Sequence, residues 1–169
     1  MVFMTDQLME RFQGFPAQEK VARLLLRHGV KVTEGKAWCG DIELGDTALG
    51  RAAGVDRRVV RATVQTIESD PWLREIFSRL RSISLFSEAA PVMGWSSIEI
   101  IPVDAHMPGI LADVAGVMAS AGISIRQAIV DDPEMTEEPR FHVITESTVP
   151  PELLPMIKGC RGVRSIIIH

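Results

Sequence analysis

Three arginines stand within five positions in the segment 45–69, which reads GDTALGRAAGVDRRVVRATVQTIES. They are Arg57, Arg58 and Arg61, and guanidinium groups bind both phosphate oxygens and the major-groove edge of guanine. Apolar residues at helical spacing on both sides of Gly54 predict two helices joined by a tight turn. The arginines fall in the first turns of the second helix, so the spacing predicts a helix that offers its cationic start to DNA.

The other residues of this segment meet the steric needs of two crossing helices. Gly50, four positions before Gly54, allows close approach, and Gly54 can adopt the positive φ of a tight turn. Asp56 is the expected N-cap of the second helix. Apolar contacts between the helices are expected from Leu49, Ala53, Val55 and Val60. The segment resembles prokaryotic helix-turn-helix regulators. No pair of strands is predicted after it, so the wing of a winged-helix protein is missing or shortened. The alternative interpretation is a helical bundle whose arginines form a solvated face.

A second constellation, Asp104-Ala105-His106-Met107-Pro108-Gly109-Ile110-Leu111, lies between a predicted strand and a predicted helix. Pro108 and Gly109 open that helix, whose free N–H groups and positive dipole end favour a carboxylate. Asp104 or His106 is positioned to meet an ammonium group, and Ser124 of a second copy is a further donor. An α-amino acid fits this chemistry. The alternative is that Asp104 only caps the helix and Gly109 only serves packing.

Hydrophobic periodicity divides the chain into two predicted domains. Residues 1–90 form a helical domain with two short initial helices, a strand-like run over 37–44, the paired helices and a connecting helix. Residues 86–95 have the proline and glycine content of a linker. Residues 95–169 alternate as βαββαβ, which predicts a ferredoxin-like sheet with two helices on one face. The predicted fold class is therefore α+β.

Charge separates the two halves more clearly than the net charge of −4 suggests. Residues 1–90 carry 13 Lys and Arg against 12 Asp and Glu, whereas residues 91–169 carry 5 against 10. Any contact with nucleic acid is thus expected in the first half. The start MVFMTDQLMERF lacks the features of a signal peptide, no apolar run is long enough for a membrane span, and both cysteines are isolated. A cytoplasmic protein is expected.

Across residues 97–169 the sequence resembles the ACT domain family, through the Asp104–Leu111 motif and the run Gly122-Ile123-Ser124-Ile125. ACT domains are sensors that commonly bind amino acids at subunit interfaces; Ser124 stands where family members usually have Asn. The resemblance implies a ligand-binding set of Asp104, His106, Met107, Pro108, Gly109, Ile110, Ser124 and Ile125. The whole chain resembles archaeal predicted regulators of amino-acid metabolism, which join the two modules. That resemblance implies a ligand-responsive, DNA-binding homodimer.

Enzymatic chemistry has little support in the sequence. It has no nucleophile paired with an identifiable base, no phosphate-binding glycine loop and no paired metal-ligand motif, and its four histidines are scattered. The acidic run over 131–138 lacks the spacing of a calcium loop and is expected to be solvated. We expect a protein that is not an enzyme and that binds neither a cofactor nor a metal. Two alternatives to a transcription regulator remain: a metabolite-sensing subunit of an enzyme partner, and a dimerising scaffold without a small ligand.

Overall fold

A computed structural model describes residues 4–169, so the first three residues of the predicted domain 1–90 lie outside the described part. The chain forms two compact units that divide between Ile83 and Ser84. In the described part of the first unit two helices precede three short strands, and three further helices follow. Its elements are α1 (Met4–Glu10), α2 (Pro16–Arg27), β1 (Lys31–Thr33), β2 (Lys36–Cys39), β3 (Ile42–Leu44), α3 (Asp46–Ala53), α4 (Arg57–Ser69) and α5 (Pro71–Phe77).

The first unit contains an antiparallel sheet of order β1-β2-β3, which corrects the prediction of a helical domain with one strand-like run over 37–44. Gly40 has φ +59° and breaks that run into a hairpin in which Cys39 faces Ile42. Glu34 and Gly35 both have positive φ and turn the chain between β1 and β2. Two successive residues with positive φ are typical of a two-residue hairpin turn. Glutamate is not among the residues that usually form such a turn, so the sequence did not indicate it.

The helices of the first unit enclose an apolar core. The fully buried large side chains are Leu8, Phe12, Leu25, Ile67, Leu73 and Phe77. Asp70 separates α4 from α5 and caps α5, because its Oδ1 accepts from the N–H groups of Trp72 (2.8 Å) and Leu73 (3.0 Å). Pro71 occupies the first helical position, where a missing N–H is tolerated. In residues 4–83 no strand follows α4, as expected from the sequence.

The second unit has the predicted βαββαβ order of elements. They are β4 (Ser96–Pro102), α6 (Ile110–Ser120), β5 (Ile125–Val130), β6 (Phe141–Thr145), α7 (Leu154–Lys158) and β7 (Val163–Ile168). The strands form one antiparallel sheet of order β5-β6-β4-β7, so β5 and β7 are its edges. The molecule is therefore mixed α and β, with helices and two antiparallel sheets. No helix in residues 4–169 has the length and apolar character needed to cross a membrane.

Alternation along the central strands gives the sheet two different faces. Ile98, Ile100, Phe141 and Val143 belong to the core that also contains Ile110, Val114 and Met118 of α6. Intervening positions on the opposite face include Glu99 and His142, which face each other across β4 and β6. The strand pattern thus buries an apolar layer under the helices and places polar groups on the other side.

Residues 84–95 pack within the second unit, which therefore begins earlier than the predicted residue 95. The N–H of Phe86 donates to Gln127 Oε1 (3.1 Å), and Gln127 Nε2 donates to the carbonyl of Ser84 (2.8 Å). The rings of Phe86 and Trp95 meet edge to face at 5.9 Å, and the Arg126 guanidinium lies 4.0 Å from the Trp95 ring centre. The segment's proline and glycine suggested a free linker, but these side chains anchor it.

Candidate functional site

The turn between α3 and α4 brings the two helices into backbone contact. A Cβ on Gly50 would lie 2.8 Å from the carbonyl oxygen of Val55 and 3.3 Å from the amide nitrogen of Arg57. Gly54 has φ +67°, and the N–H of Val55 donates to the carbonyl of Gly50 at 2.8 Å. Even alanine would therefore be crowded at position 50. The predicted roles of both glycines in this turn are confirmed.

Helix α4 begins and packs as its sequence requires. Asp56 caps it, since its Oδ1 accepts from the N–H of Arg58 at 2.8 Å, which confirms the predicted cap. Thr63 is fully buried, and its hydroxyl donates to the carbonyl of Val59 at 2.8 Å. That bond satisfies a polar group at a buried helix position where a larger apolar residue would be usual. Val60, Val64 and Ile67 supply the buried apolar face.

The three predicted arginines are exposed on the opposite face of α4. Arg57 and Arg58 make no ion pair with any residue that the structure describes. Arg61 is held by Asp46 at the start of α3, with Nη2 and Nε of the guanidinium 3.1 Å and 3.3 Å from Oδ2. Two unpaired cations thus lie at the first turn of α4, beside a third whose direction is fixed by a carboxylate.

In the second unit, Asp104 and His106 form a local turn. Asp104 Oδ1 accepts from the N–H of His106 at 2.9 Å and lies 3.4 Å from His106 Nδ1. Both side chains are exposed. The cap at the start of α6 is Gly109, which makes no side-chain cap hydrogen bond. Asp104 therefore orders the loop before the helix and does not cap the helix itself.

The start of α6 combines free backbone donors with a cation. In the described part of the chain, the N–H groups of Ile110, Leu111 and Ala112 donate to no backbone or side-chain acceptor. Gly109 has φ +93°, and the nearest atom to a Cβ there would be Arg161 Nη2 at 3.5 Å. Arg161 Nη2 also donates to the carbonyl of Pro108 at 3.4 Å. Sequence reasoning missed Arg161 because it lies 52 positions after Gly109 in the chain.

Arg161 also lines an open groove between α6 and α7. The groove has a volume of about 560 Å³, and its other charged lining side chain is Asp113. Cys160 lies in the same groove; burial and, secondarily, the Asp113 carboxylate raise the pKa of its thiol. Cys39 and Cys160 are both free thiols. The raised pKa favours the neutral thiol over the nucleophilic thiolate.

The side chains of two of the predicted ligand residues pack in or against the core of the second unit. Ile110 is 1% exposed and belongs to the core, and Met107 packs against that core. A Cβ on Gly162 would lie 2.7 Å from Met107 Sδ and 2.8 Å from Ile110 Cγ1. Both side chains therefore close over the Gly162 backbone. Of the Asp104–Ile110 run, the side chains of Asp104 and His106 and the backbone of Pro108 and Gly109 face solvent.

Ser124 and Ile125 lie at the other end of the sheet. Ile125 pairs with Thr145, which also pairs with Ser96 at the start of β4, whereas the Asp104–Gly109 loop follows Pro102 at the end of β4. Six strand residues separate these levels, about 20 Å at the usual rise per residue. One copy of the chain therefore does not bring Ser124 to the Gly109 loop.

A buried polar network occupies the sheet face away from the helices. Glu99 accepts from Arg140 Nη1 (2.7 Å) and lies 3.0 Å from His169 Nε2. His142 shares a hydrogen bond with the Ser87 hydroxyl (3.0 Å), and its Nε2 lies 3.5 Å from Asp131 Oδ2. Burial pushes the pKa of Glu99 upward, but the hydrogen bonds from Arg140 and His169 outweigh burial and leave that pKa lowered.

This network had no sequence signal, because its members are scattered between positions 87 and 169. Its cations and carboxylates are mutually paired, and no group of His, Cys, Asp and Glu in the described residues has the arrangement of a metal site. The predicted acidic loop contributes Asp131, which accepts from the N–H of Arg140 at 3.1 Å. The chemistry of this face is that of a satisfied structural network.

Comparison with known proteins gives no sequence match and only distant structural likenesses. The sequence matches no family model and no curated protein. Among solved structures, a homoserine dehydrogenase from Thiobacillus denitrificans aligns with 72% of this chain at 14% identity and a TM-score of 0.35. The chain spans only 28% of the length of that dehydrogenase. A Mycobacterium tuberculosis leucine response regulatory protein aligns over 90% of both chains at 18% identity and a TM-score of 0.30. At these values neither likeness carries a fold or a function over to this chain.

Proposed function

We propose that this chain is a ligand-responsive transcription regulator of amino-acid metabolism, and not an enzyme. In this proposal α3 and α4 are a helix-turn-helix that binds DNA, and the second unit is a ferredoxin-like ACT domain that binds a small molecule, an amino acid. The working form is a cytoplasmic homodimer that needs no cofactor. The observation that carries the proposal is the exposed, unpaired Arg57 and Arg58 at the start of a helix held against α3 at Gly50.

Three features of α3 and α4 support DNA binding. The backbone contact at Gly50 fixes the crossing of the helices, the capped start of α4 is exposed, and its arginines are free to bind phosphates or guanine edges. A helix that inserts its first turns into a major groove needs this combination of rigidity and free donors. Arg61, oriented by Asp46, is the third contact.

The test is DNA binding by a variant in which Arg57, Arg58 and Arg61 are all changed to Ala. We expect loss of specific binding with the fold retained, and a dependence of log affinity on log salt that flattens by roughly one for each lost phosphate contact. The matched control changes Lys20, Arg23 and Arg27, three exposed cations of α2, to Ala. Equal DNA affinity and salt slope in the two triple variants would exclude α4 as the reading helix.

Ligand binding is supported by the start of α6, where free N–H groups, the helix dipole and the Arg161 guanidinium all favour a carboxylate. Asp104 and His106 are exposed nearby to meet an ammonium group. Ser124 takes part only if it comes from a second copy, which ties ligand binding to the homodimer. The edge strands β5 and β7, with Val130 and Ile168 exposed, offer surfaces for that second copy.

A thermal-shift screen of the twenty amino acids, with and without DNA, tests the sensor. We expect one or a few to raise the melting temperature, and Arg161→Gln and Asp104→Asn each to weaken that ligand by roughly 1–3 kcal/mol. Lys158→Gln, which changes an exposed cation of α7 outside the groove, is the control. If ligand binding and DNA binding are coupled, the two effects must be equal. DNA must then change the affinity for the ligand by the same factor by which the ligand changes the affinity for DNA. Ligand binding without DNA binding would favour the enzyme-subunit alternative. Absence of both ligand binding and DNA binding would favour the scaffold alternative.

A further inference from the structure

The first unit contains a cationic cleft that neither the DNA-reading helix nor the sensor explains. The cleft has a volume of about 680 Å³ and is lined by Lys31 and the Gly40–Asp41 turn on one side and by residues 78–82 on the other. Three of its lining side chains are cations, Lys31, Arg79 and Arg81, and one, Asp41, is an anion. We propose that this cleft binds the phosphate group of a small phosphorylated or diphosphate ligand.

Two of the cations are available to a ligand. Arg79 is paired with Glu75 one helical turn earlier. Lys31 and Arg81 make no ion pair with any residue from 4 to 169, although Asp41 lines the same cleft. Lys31 is half-buried and lines the cleft without an ion-pair partner among the described residues. An anion of about two charges would neutralise this pair.

Residues 80–82 add backbone donors to the cleft. Beyond the end of α5, the N–H groups of Leu80, Arg81 and Ser82 donate to no acceptor within the described residues, while Ser78 and Arg79 still donate to carbonyls of α5. Successive unpaired N–H groups outside regular structure are a recurring feature of oxyanion sites. Lys31 and Arg81 supply charge, and these donors suit the several oxygens of a phosphate.

The cleft wall is held in place by contacts that do not involve the cations. The Ser82 hydroxyl donates to the carbonyl of His28 at 2.8 Å and accepts from Cys39 Sγ at 3.4 Å. A Cβ on Gly29 would lie 2.3 Å from the carbonyl oxygen of Arg81, so only glycine lets the segment pack there. The donors therefore belong to a fixed segment, and a bound anion needs little ordering of the backbone.

The volume favours a small ligand over a nucleic-acid backbone. A concave cleft of this size accommodates a phosphate together with part of the molecule that carries it, whereas a duplex presents convex phosphates to an open surface. Pyrophosphate and inorganic phosphate are suitable probes because they carry the proposed chemistry without committing to an organic group. A DNA duplex is the competing source of phosphate.

The experiment measures pyrophosphate and inorganic phosphate binding to the full chain by calorimetry at constant ionic strength, in Lys31→Gln, Arg81→Gln and Lys20→Gln. Lys20 is an exposed cation of α2 outside the cleft, so its variant loses the same charge. We expect Lys31→Gln and Arg81→Gln each to weaken pyrophosphate about tenfold, which corresponds to ~1.4 kcal/mol, and Lys20→Gln to leave it unchanged. Equal affinity in the three variants, or no binding to the wild type, would overturn the proposal.

A second arm separates the cleft from the DNA-reading helix. We expect Arg58→Gln to weaken DNA and leave pyrophosphate binding unchanged, and Lys31→Gln to do the reverse. If duplex DNA displaces pyrophosphate and Lys31→Gln weakens DNA as strongly as Arg58→Gln does, the cleft holds the DNA backbone and the small-ligand proposal is wrong. Failure of DNA binding with pyrophosphate binding intact would count only against the proposed regulator.

Discussion

Arg57 and Arg58 of the first unit and Arg140 of the second differ in whether a carboxylate already pairs with them. In the first unit Arg57 and Arg58 are exposed on α4 and unpaired among the described residues, at the start of a rigid helix. In the second unit Arg140 donates to the buried Glu99, and a hydrogen bond to that carboxylate raises the pKa of the guanidinium. A cation already paired with a buried carboxylate contributes to the fold and has little left for a partner. Availability to a partner, rather than positive charge alone, therefore distinguishes Arg57 and Arg58 from Arg140.

Two glycines inside helices, one in each unit, differ in how closely other atoms pack around them. Gly50 in α3 lies against the backbone of the α3–α4 turn, where a Cβ would come within 2.8 Å of Val55 O. Gly116 in α6 faces the open groove, and a Cβ there would meet nothing within 4 Å. The first glycine is required by a helix crossing, whereas the second only lowers helix propensity.

The largest expected difference comes from making the same substitution at these two sites. Gly50→Ala is expected to lower the free energy of unfolding by about 1–3 kcal/mol because the backbone has to shift. Gly116→Ala is expected to raise it by about 0.5–1 kcal/mol. Denaturant unfolding of both variants measures the pair. A Gly50→Ala variant as stable as the wild type, or more stable, would show that the α3–α4 crossing tolerates a methyl group and would remove the steric argument for a rigid reading helix.

A buried and an exposed carboxylate of the second unit provide the next comparison. Glu99→Gln removes the charge that holds Arg140 and His169, and we expect a loss of about 1–3 kcal/mol in the free energy of unfolding. Glu146→Gln removes an exposed partner of Arg126 and should change stability by less than about 0.5 kcal/mol. Denaturant unfolding at neutral pH tests the pair. A loss for Glu146→Gln equal to that for Glu99→Gln would contradict the structural role of the buried network.

Local signals predicted much of this architecture. Gly50, Gly54 and Asp56 act within a few residues of one another, so their types alone indicated the turn and the cap. The βαββαβ order followed from alternation and helical spacing. The three-stranded sheet of the first unit was missed because its strands have three or four residues, too few for alternation to register.

Groups brought together only by folding were beyond sequence reasoning. Arg161 donates to the carbonyl of Pro108, 53 positions earlier in the chain, and Glu99 accepts from Arg140, 41 positions later.

The structure also changes the test of the sensor. Gly109→Val would disturb folding as well as ligand binding, because φ +93° at Gly109 strains any branched residue. Arg161→Gln and Asp104→Asn avoid that strain and separate binding from folding.

The smallest expected effect concerns the charge on Asp70 in the first unit. Hydrogen bonds from the N–H of Leu73 above all, and also from Trp72 and Arg11, hold the pKa of this carboxyl below its ordinary value despite partial desolvation. Asp70→Asn keeps a capping side chain and removes the charge, so it isolates the electrostatic part of the interaction. At neutral pH we expect this variant to be less stable than the wild type by under about 1 kcal/mol.

The pH dependence of that difference has a definite sign. Because the folded pKa of Asp70 is depressed, its charge stabilises the fold above the unfolded pKa of about 3.9, and the stabilisation is lost as pH falls through the folded value. The free energies of unfolding of wild type and Asp70→Asn should therefore converge as pH falls through the folded pKa of Asp70. Urea titrations between pH 7 and pH 2.5 measure the convergence. A difference that stays constant or widens in acid would mean that the cap geometry, and not the charge, accounts for the contribution of Asp70.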